Sequence, residues 1–343
     1  MAKITLKEIA EKANVSIGTV DRVLHNRGGA NEETANRIRR ICEEYGYEGN
    51  IVGKAMALQR KESRIAVVIN SQKRSAFSKV THDAINEFAK EVADYNVKYE
   101  FYDLMENSVS EICKILDNLY QEDIDGLIIK PIDSTIVKYK LQKLHKDKNI
   151  PIVNCASTIE GVDSICYVGQ DHHKLGRMMA STLYRIKKDN LKIIAAVGPL
   201  SNPSRRQKLE GFIEYLQDKK CNFDILNICE IPFDEVEART IFKDLIPRYP
   251  EANVLYLNSP EISVPIDVLE KDIKFEGIKC VFAHKDYVSE KLRNGSLDFA
   301  VYENPFDQGY MAAKVVFNYL LNGDIPKDRK IILEGQIVFD ENC

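Results

Sequence analysis

From Arg64 onward the chain alternates short apolar runs with amphipathic stretches. The runs are IAVVI (65–69), VKYEFY (97–102), GLIIK (126–130), PIVNC (151–155), ICYVG (165–169), KIIAAV (192–197), DILNI (224–228), NVLYL (253–257), KCVFA (279–283) and DFAVY (298–302). Helical periodicity fills most of the gaps, for example at 77–94, 109–120 and 135–146. Strands buried on both faces and spaced by helices imply parallel sheets wrapped by helices. About ten strands is many for one open sheet, so the pattern predicts two similar lobes. Ligands of such folds sit at the C-terminal ends of the strands, here in a cleft between the lobes.

The first 62 residues have a different rhythm. Thr5-Leu6-Lys7-Glu8 has the form of a capping box, a hydroxyl followed three residues later by a carboxylate. Leu6, Ile9, Ala10 and Ala13 follow at helical spacing, Asn14-Val15 makes a short turn, and Ser16 is a second N-cap. Ile17, Val20, Val23 and Leu24 give another apolar stripe before Asn26-Arg27-Gly28-Gly29 breaks the chain. A third helix is expected from about Glu32 to Tyr45, with Gly46 at its C′ position. Three short helices, the first two joined by a tight turn, form a helix-turn-helix pattern.

Charge is unevenly spread. Residues 1–62 hold 11 basic and 9 acidic side chains, net +2, so the rest of a chain of net −4 carries −6. A basic head on an acidic body suits contact with nucleic acid. No apolar run approaches the ~18 residues that cross a bilayer, and the N-terminus lacks the apolar stretch of a secretory signal. A cytoplasmic, nucleoid-associated protein is therefore expected. The eight cysteines are scattered without a CxxC pair, as small buried side chains in a reducing compartment would be. Nucleotide-binding, nucleophile-elbow and HExxH motifs are absent, so an enzyme is not expected. His172 and His173 are adjacent and face apart on a helix, so neither a metal nor another cofactor is expected.

The stretch ITLKEIAEKANVSIGTVDRVLHNRG (4–28), continued by NEETANRIRRICEEYGY (31–47), strongly resembles the DNA-binding head of the lactose-repressor (LacI/GalR) family. The body resembles that family's effector domain, related to periplasmic sugar-binding proteins, in strand order and in phrases such as KPIDS (130–134), CYVGQDHHKLGR (166–177), RRQKLEGF (205–212) and YENPFDQG (302–309). The resemblance implies an all-α helix-turn-helix head (1–47), a hinge helix and linker (48–62) and an α/β two-lobed effector domain (63–343). The N-lobe would comprise about 63–160 plus 289–320, the C-lobe about 163–286 plus 324–343. It further implies a homodimer on a pseudo-palindromic operator, a repressor more often than not, whose DNA affinity changes when a small carbohydrate-like molecule closes the cleft. The rival reading is a sensor whose head no longer binds DNA strongly.

For DNA, the resemblance points to Thr5, Ser16, Ile17, Gly18, Thr19, Asp21, Arg22, His25 and Asn26 in the head. In the hinge it points to Asn50, Lys54 and Met56, an apolar wedge for the minor groove. Ile17 can offer only apolar contact, Gly18 none, and Arg22 a bidentate contact to guanine. Asp21 stands where serine is common. Its carboxylate would be repelled by phosphate, so it either accepts from cytosine N4 or orients a cation such as Arg22, Lys7 or Arg37.

For the effector, the resemblance points to Phe77, Lys130, Ser157, Asp171, Arg205, Arg206, Lys208, Asn258, His284 and Glu303. Asp171 reads more readily as a helix N-cap than as a cleft residue. Acceptors for neutral sugar hydroxyls are thinned out and Lys130, Lys208, Arg205 and Arg206 add charge, which leans towards a sugar acid or sugar phosphate. The alternative is a neutral pentose or hexose with the lysines in solvent.

Overall fold

The computed structural model describes residues 4–24, 30–45, 56, 58–71, 76–105, 108–232, 234–258 and 263–343. Helix α1 (Leu6–Ala13) starts on the capping box: the Thr5 N–H donates to Glu8 Oε2 at 2.7 Å and the Glu8 N–H to Thr5 Oγ1 at 3.3 Å. It ends at Asn14, whose left-handed φ of 52° turns the chain into α2 (Ile17–Leu24). Ser16 caps α2, accepting from the Thr19 N–H at 3.1 Å. Helix α3 (Glu32–Glu44) closes the head over a small core of Ile9, Ala10, Ala13, Val20, Val23 and Ile38.

The body contains two six-stranded sheets. The first is ordered β11-β5-β4-β3-β1-β2, from β1 (Ser63–Val68), β2 (Val97–Phe101), β3 (Gly126–Ile129), β4 (Ile152–Cys155), β5 (Cys166–Gly169) and β11 (Lys330–Ile332). The second is ordered β12-β10-β9-β8-β6-β7, from β6 (Leu191–Val197), β7 (Phe223–Glu230), β8 (Val254–Asn258), β9 (Ile278–Ala283), β10 (Phe299–Tyr302) and β12 (Gln336–Val338). The first lobe carries α4 (Ala76–Glu91), α5 (Val109–Gln121), α6 (Thr135–Lys148) and α12 (Pro305–Asn322). The second carries α7 (His172–Ile186), α8 (Pro203–Asp218), α9 (Glu235–Leu245), α10 (Ser263–Lys271) and α11 (Lys285–Arg293). Four apolar clusters fill the two faces of each sheet.

Two expectations need correction. The second sheet is not wholly parallel, because β12 joins β10 antiparallel. The lobe assignments at 163–286, 289–320 and 324–343 also fail in part. Cys166–Gly169 and Lys330–Ile332 belong to the first sheet, and Phe299–Tyr302 to the second. The chain crosses between lobes after a strand has been completed, at 170–171, 303–304 and 333–335; at the first two crossings a strand and the helix that follows it lie in different lobes, and at the third β11 and β12 do. Apolar periodicity marks a strand but not the neighbour it pairs with. The first and third crossings are tied together: Gln170 Nε2 donates to the Glu334 carbonyl at 3.4 Å and Lys174 pairs with its carboxylate at 3.0 Å.

In the second lobe α7 and α8 approach at two glycines. A Cβ on Gly176 would lie 1.9 Å from the Lys208 carbonyl oxygen, and one on Gly211 2.1 Å from that of His173. This backbone contact fixes α8, which carries Arg205, Arg206 and Lys208.

Candidate functional site

Strand ends and the turns after them converge on the cleft. The first lobe supplies Asn70 and Phe77 after β1, Lys130 after β3, and Ala156 after β4. The second supplies Asn258 at the end of β8, His284 after β9, Glu303 after β10, and the first turns of α8. A small recess is lined by Ile69, Asn70, Phe77, Ser78, Thr81, Lys130, Cys155 and Ala156.

Lys208 is 2 % exposed and pairs with Glu303, its ammonium also lying 4.7 Å from the centre of the Phe282 ring. Burial pulls the lysine below its ordinary range while Glu303 opposes that pull. Burial pushes the Glu303 carboxyl up, but the Lys208 charge and hydrogen bond outweigh it and hold the group below its usual value. Neither lysine points to solvent, as the neutral-sugar alternative required. Lys208 is satisfied internally, and the half-buried Lys130 lies 4.7 Å over the Phe77 ring. Burial, with the Arg205 charge second, lowers Lys130 to about 8.

The remaining expected contacts divide. Arg205 is half-buried, and its charge reaches both Lys130 and Lys208. Arg206 bridges the lobes loosely, with Asp133 at 4.0 Å and the Leu200 carbonyl accepting at 3.3 Å. Asn258 is buried and donates to the Arg205 carbonyl at 3.3 Å, so it holds the start of α8. His284 occupies the N-cap position of α11, its ring centre 5.5 Å from that of Tyr302. Two expected contacts are committed elsewhere. Ser157 is buried and its hydroxyl donates to the Pro131 carbonyl at 2.9 Å, tying the turns after β3 and β4. Asp171 is exposed and caps α7, accepting from the Lys174 N–H at 2.9 Å. A short polar side chain before a helix is more often a cap than a ligand contact.

Three residues outside the expected contacts lie in or against the recess. Asn70, directly after the first strand, is buried in the recess wall, and its Oδ1 has no partner among the described residues. Its position at a strand's C-terminal end was the available signal. Ala156 adopts a left-handed φ of 62° within a three-residue turn closed by the Ser157 N–H on the Cys155 carbonyl at 2.7 Å. Strain of this kind persists where surrounding structure enforces it, commonly at binding sites. His172 is buried behind this turn. Its Nε2 lies 2.9 Å from the Ala156 carbonyl, an acceptor only, so Nε2 carries a proton and donates.

On the head, α2 buries Val20 and Val23 and presents Ile17, Gly18 and Arg22 outward, with Ile17 48 % exposed. Thr19 and Asp21 are half-buried. The Arg22 Nε donates to the Gly18 carbonyl at 3.1 Å, which keeps the guanidinium along the exposed face. Thr5 and Ser16 spend their hydroxyls on caps and on Glu8 and Thr19. Met56 is exposed. His25, Asn26, Asn50 and Lys54 lie outside the described residues, as does most of the expected hinge. No group of metal-ligating side chains occurs among the described residues, and no described helix is long and apolar enough to cross a membrane.

Comparison with known proteins agrees with this division. Residues 5–50 match the family model described as bacterial regulatory proteins, lacI family, and residues 65–324 the periplasmic binding protein domain. Catabolite control protein A of Staphylococcus aureus is 22% identical over 342 residues, covering 98% of both chains. The ribose operon repressor of Bacillus subtilis is 24% identical over 249 residues, covering 72% of this chain and 70% of its own. Among solved structures, a putative LacI transcriptional regulator from Bacteroides fragilis superposes with a TM-score of 0.73 at 17% identity, over 82% of this chain and 98% of its own. GanP, a glucose-galactose binding protein from Geobacillus stearothermophilus, gives 0.72 at 18%, over 82% and 99%.

Proposed function

We propose that the chain, which belongs to the periplasmic binding protein domain family over residues 65–324 and matches the lacI-family model of bacterial regulatory proteins over residues 5–50, is a transcriptional repressor whose operator affinity is set by a carbohydrate-like ligand in the interlobe cleft. One observation carries the reading: a capped helix-turn-helix with an outward Ile17-Gly18-Arg22 face shares a chain with two lobes of mainly parallel sheet, the first of which holds a small recess at its strand ends. The protein acts as a cytoplasmic homodimer on a pseudo-palindromic operator and is not an enzyme. Arg22 reads a guanine, Ile17 supplies apolar contact, and Asp21 aims a neighbouring cation.

Selection of sites from a random DNA pool tests the DNA half. The intact protein is expected to enrich a pseudo-palindrome and to bind it with an affinity that falls steeply with salt. Arg22→Ala should cost about 1–3 kcal/mol against the selected site and relax sequence preference at one position of each half-site. Asp21→Ser should keep or tighten overall affinity while loosening preference. Salt-independent binding, or no enrichment of any sequence, would contradict the assignment.

A further inference from the structure

Resting on the cleft as the ligand site, we propose that the ligand is a hydroxylated anion, a sugar-like molecule whose carboxylate or phosphate seats against Lys130 while a hydroxyl donates to Asn70 Oδ1. Three observations support this. First, the recess lining contains a lysine and no acid. The described charges acting on Lys130 are Arg205, Lys208 and Glu303, and Glu303 is committed to Lys208. Lys130 is therefore left with no carboxylate of its own among the described residues. An oxyanion provides the missing partner, and a charge-assisted hydrogen bond in so enclosed a place is strong.

Second, the Lys130 ammonium lies over one face of the Phe77 ring at 4.7 Å. A neutral sugar stacked on that face would displace the cation and leave it buried without compensation. An anion binds with the lysine in place. Third, Asn70 is 8 % exposed, and its Oδ1 is a buried acceptor without a partner among the described residues. An acceptor calls for a donor, which a carboxylate or phosphate lacks and a sugar hydroxyl has. Cation and orphan acceptor together select a molecule bearing both an acidic group and hydroxyls.

Proton linkage gives an independent readout. The groups facing Lys130 are Arg205 and Lys208 from α8, Glu303 after β10 and Cys155 at the end of β4; burial pushes the Cys155 thiol up to about 12, so it stays neutral. Lys130 at about 8 is half-protonated in the ligand-free protein at pH 8, and anion binding raises it. Binding at pH 8 should then take up about half a proton.

The test is isothermal titration calorimetry of the full chain with three matched sets: glucose, galactose and ribose; glucuronate, galacturonate and gluconate; glucose 6-phosphate and ribose 5-phosphate. Runs at pH 8 in two buffers of different ionisation heat measure the proton uptake. The expected result is binding within the acid or the phosphate set, with proton uptake, and none among the neutral sugars. Whichever charged set binds identifies the oxyanion. Lys130→Met should weaken the binding anion by about tenfold or more and abolish the uptake, while Lys130→Arg should retain most of the affinity. Binding confined to neutral sugars overturns the proposal and leaves the cleft reading standing. Anion binding that survives Lys130→Met unchanged in a folded variant also overturns it. Silence from all three sets overturns both.

Discussion

Lys208→Met is expected to destabilise the body by about 3–5 kcal/mol, because it strands the Glu303 carboxylate away from water. Lys208 is 2 % exposed and the Glu303 side chain 18 %, so neither charge can recover its full hydration in the folded state. Their mutual attraction offsets that desolvation only while both are present. Removing Glu303 with its partner, as in Lys208→Met/Glu303→Leu, should therefore restore most of the loss, since a buried pair replaced by apolar side chains is often near neutral. The pair also links the lobes' machinery: Glu303 sits at a crossing between lobes, and Lys208 lies on the helix that supplies Arg205 and Arg206. The chain has no tryptophan, so urea unfolding followed by circular dichroism is the suitable measurement. A double variant as unstable as Lys208→Met would mean that packing around the lysine stem, not the stranded charge, sets the cost.

Stability should also fall by roughly 3 kcal/mol between pH 6.5 and pH 4 on account of His172 alone. Burial, with the nearby Lys208 charge second, pushes the His172 ring down from 6.5 to about 4, and the ring is 7 % exposed. The sign follows from proton counts. Between those pH values the unfolded chain binds a proton on this residue and the folded chain does not, so acid favours unfolding. The contribution is fully present above pH 6.5 and is lost towards pH 4. His172→Gln can still donate to the Ala156 carbonyl, which accepts from the ring at 2.9 Å, but cannot titrate. The variant's urea midpoint should decline less than the wild type's over this window. Parallel declines would show that the ring is already protonated in the folded state. Other carboxylates titrate near the lower end of the window, so the difference between the two proteins is the informative quantity.

Legibility in the sequence followed locality. The Thr5–Glu8 box and the Ser16 cap are contacts three residues apart, and their motifs specify them almost completely. Strand positions were legible because each buried strand is a short apolar run, and the ten runs coincide with β1–β10 within about three residues. The two short edge strands, KII in β11 and QIV in β12, were not, because half-exposed three-residue strands carry no such signature. Lobe membership was misread for the strands beside the crossings, since pairing is decided by neighbours distant in sequence.

The cleft shows the same division. Lys130, Phe77 and Glu303 were singled out through the family resemblance, but their mutual arrangement was not legible. Lys208 read as a ligand contact and is bonded to a carboxylate 95 residues away. Nothing in RRQKLEGF marks that partner. Ser157 and Asp171 read as ligand groups because short polar side chains after strands serve ligands, caps and turn ties alike, and only the tertiary fold separates these uses.

Coupling between head and cleft is the centre of this account, and operator affinity measured with and without cleft ligand tests it most directly. Fluorescence anisotropy of a labelled selected site, titrated with the intact protein at fixed salt, gives the two affinities. Saturating ligand is expected to change operator affinity by at least about fivefold, a coupling of roughly 1 kcal/mol or more, and the operator to change ligand affinity by the same factor. Identical operator affinities in the presence of ligand shown to occupy the cleft would contradict it.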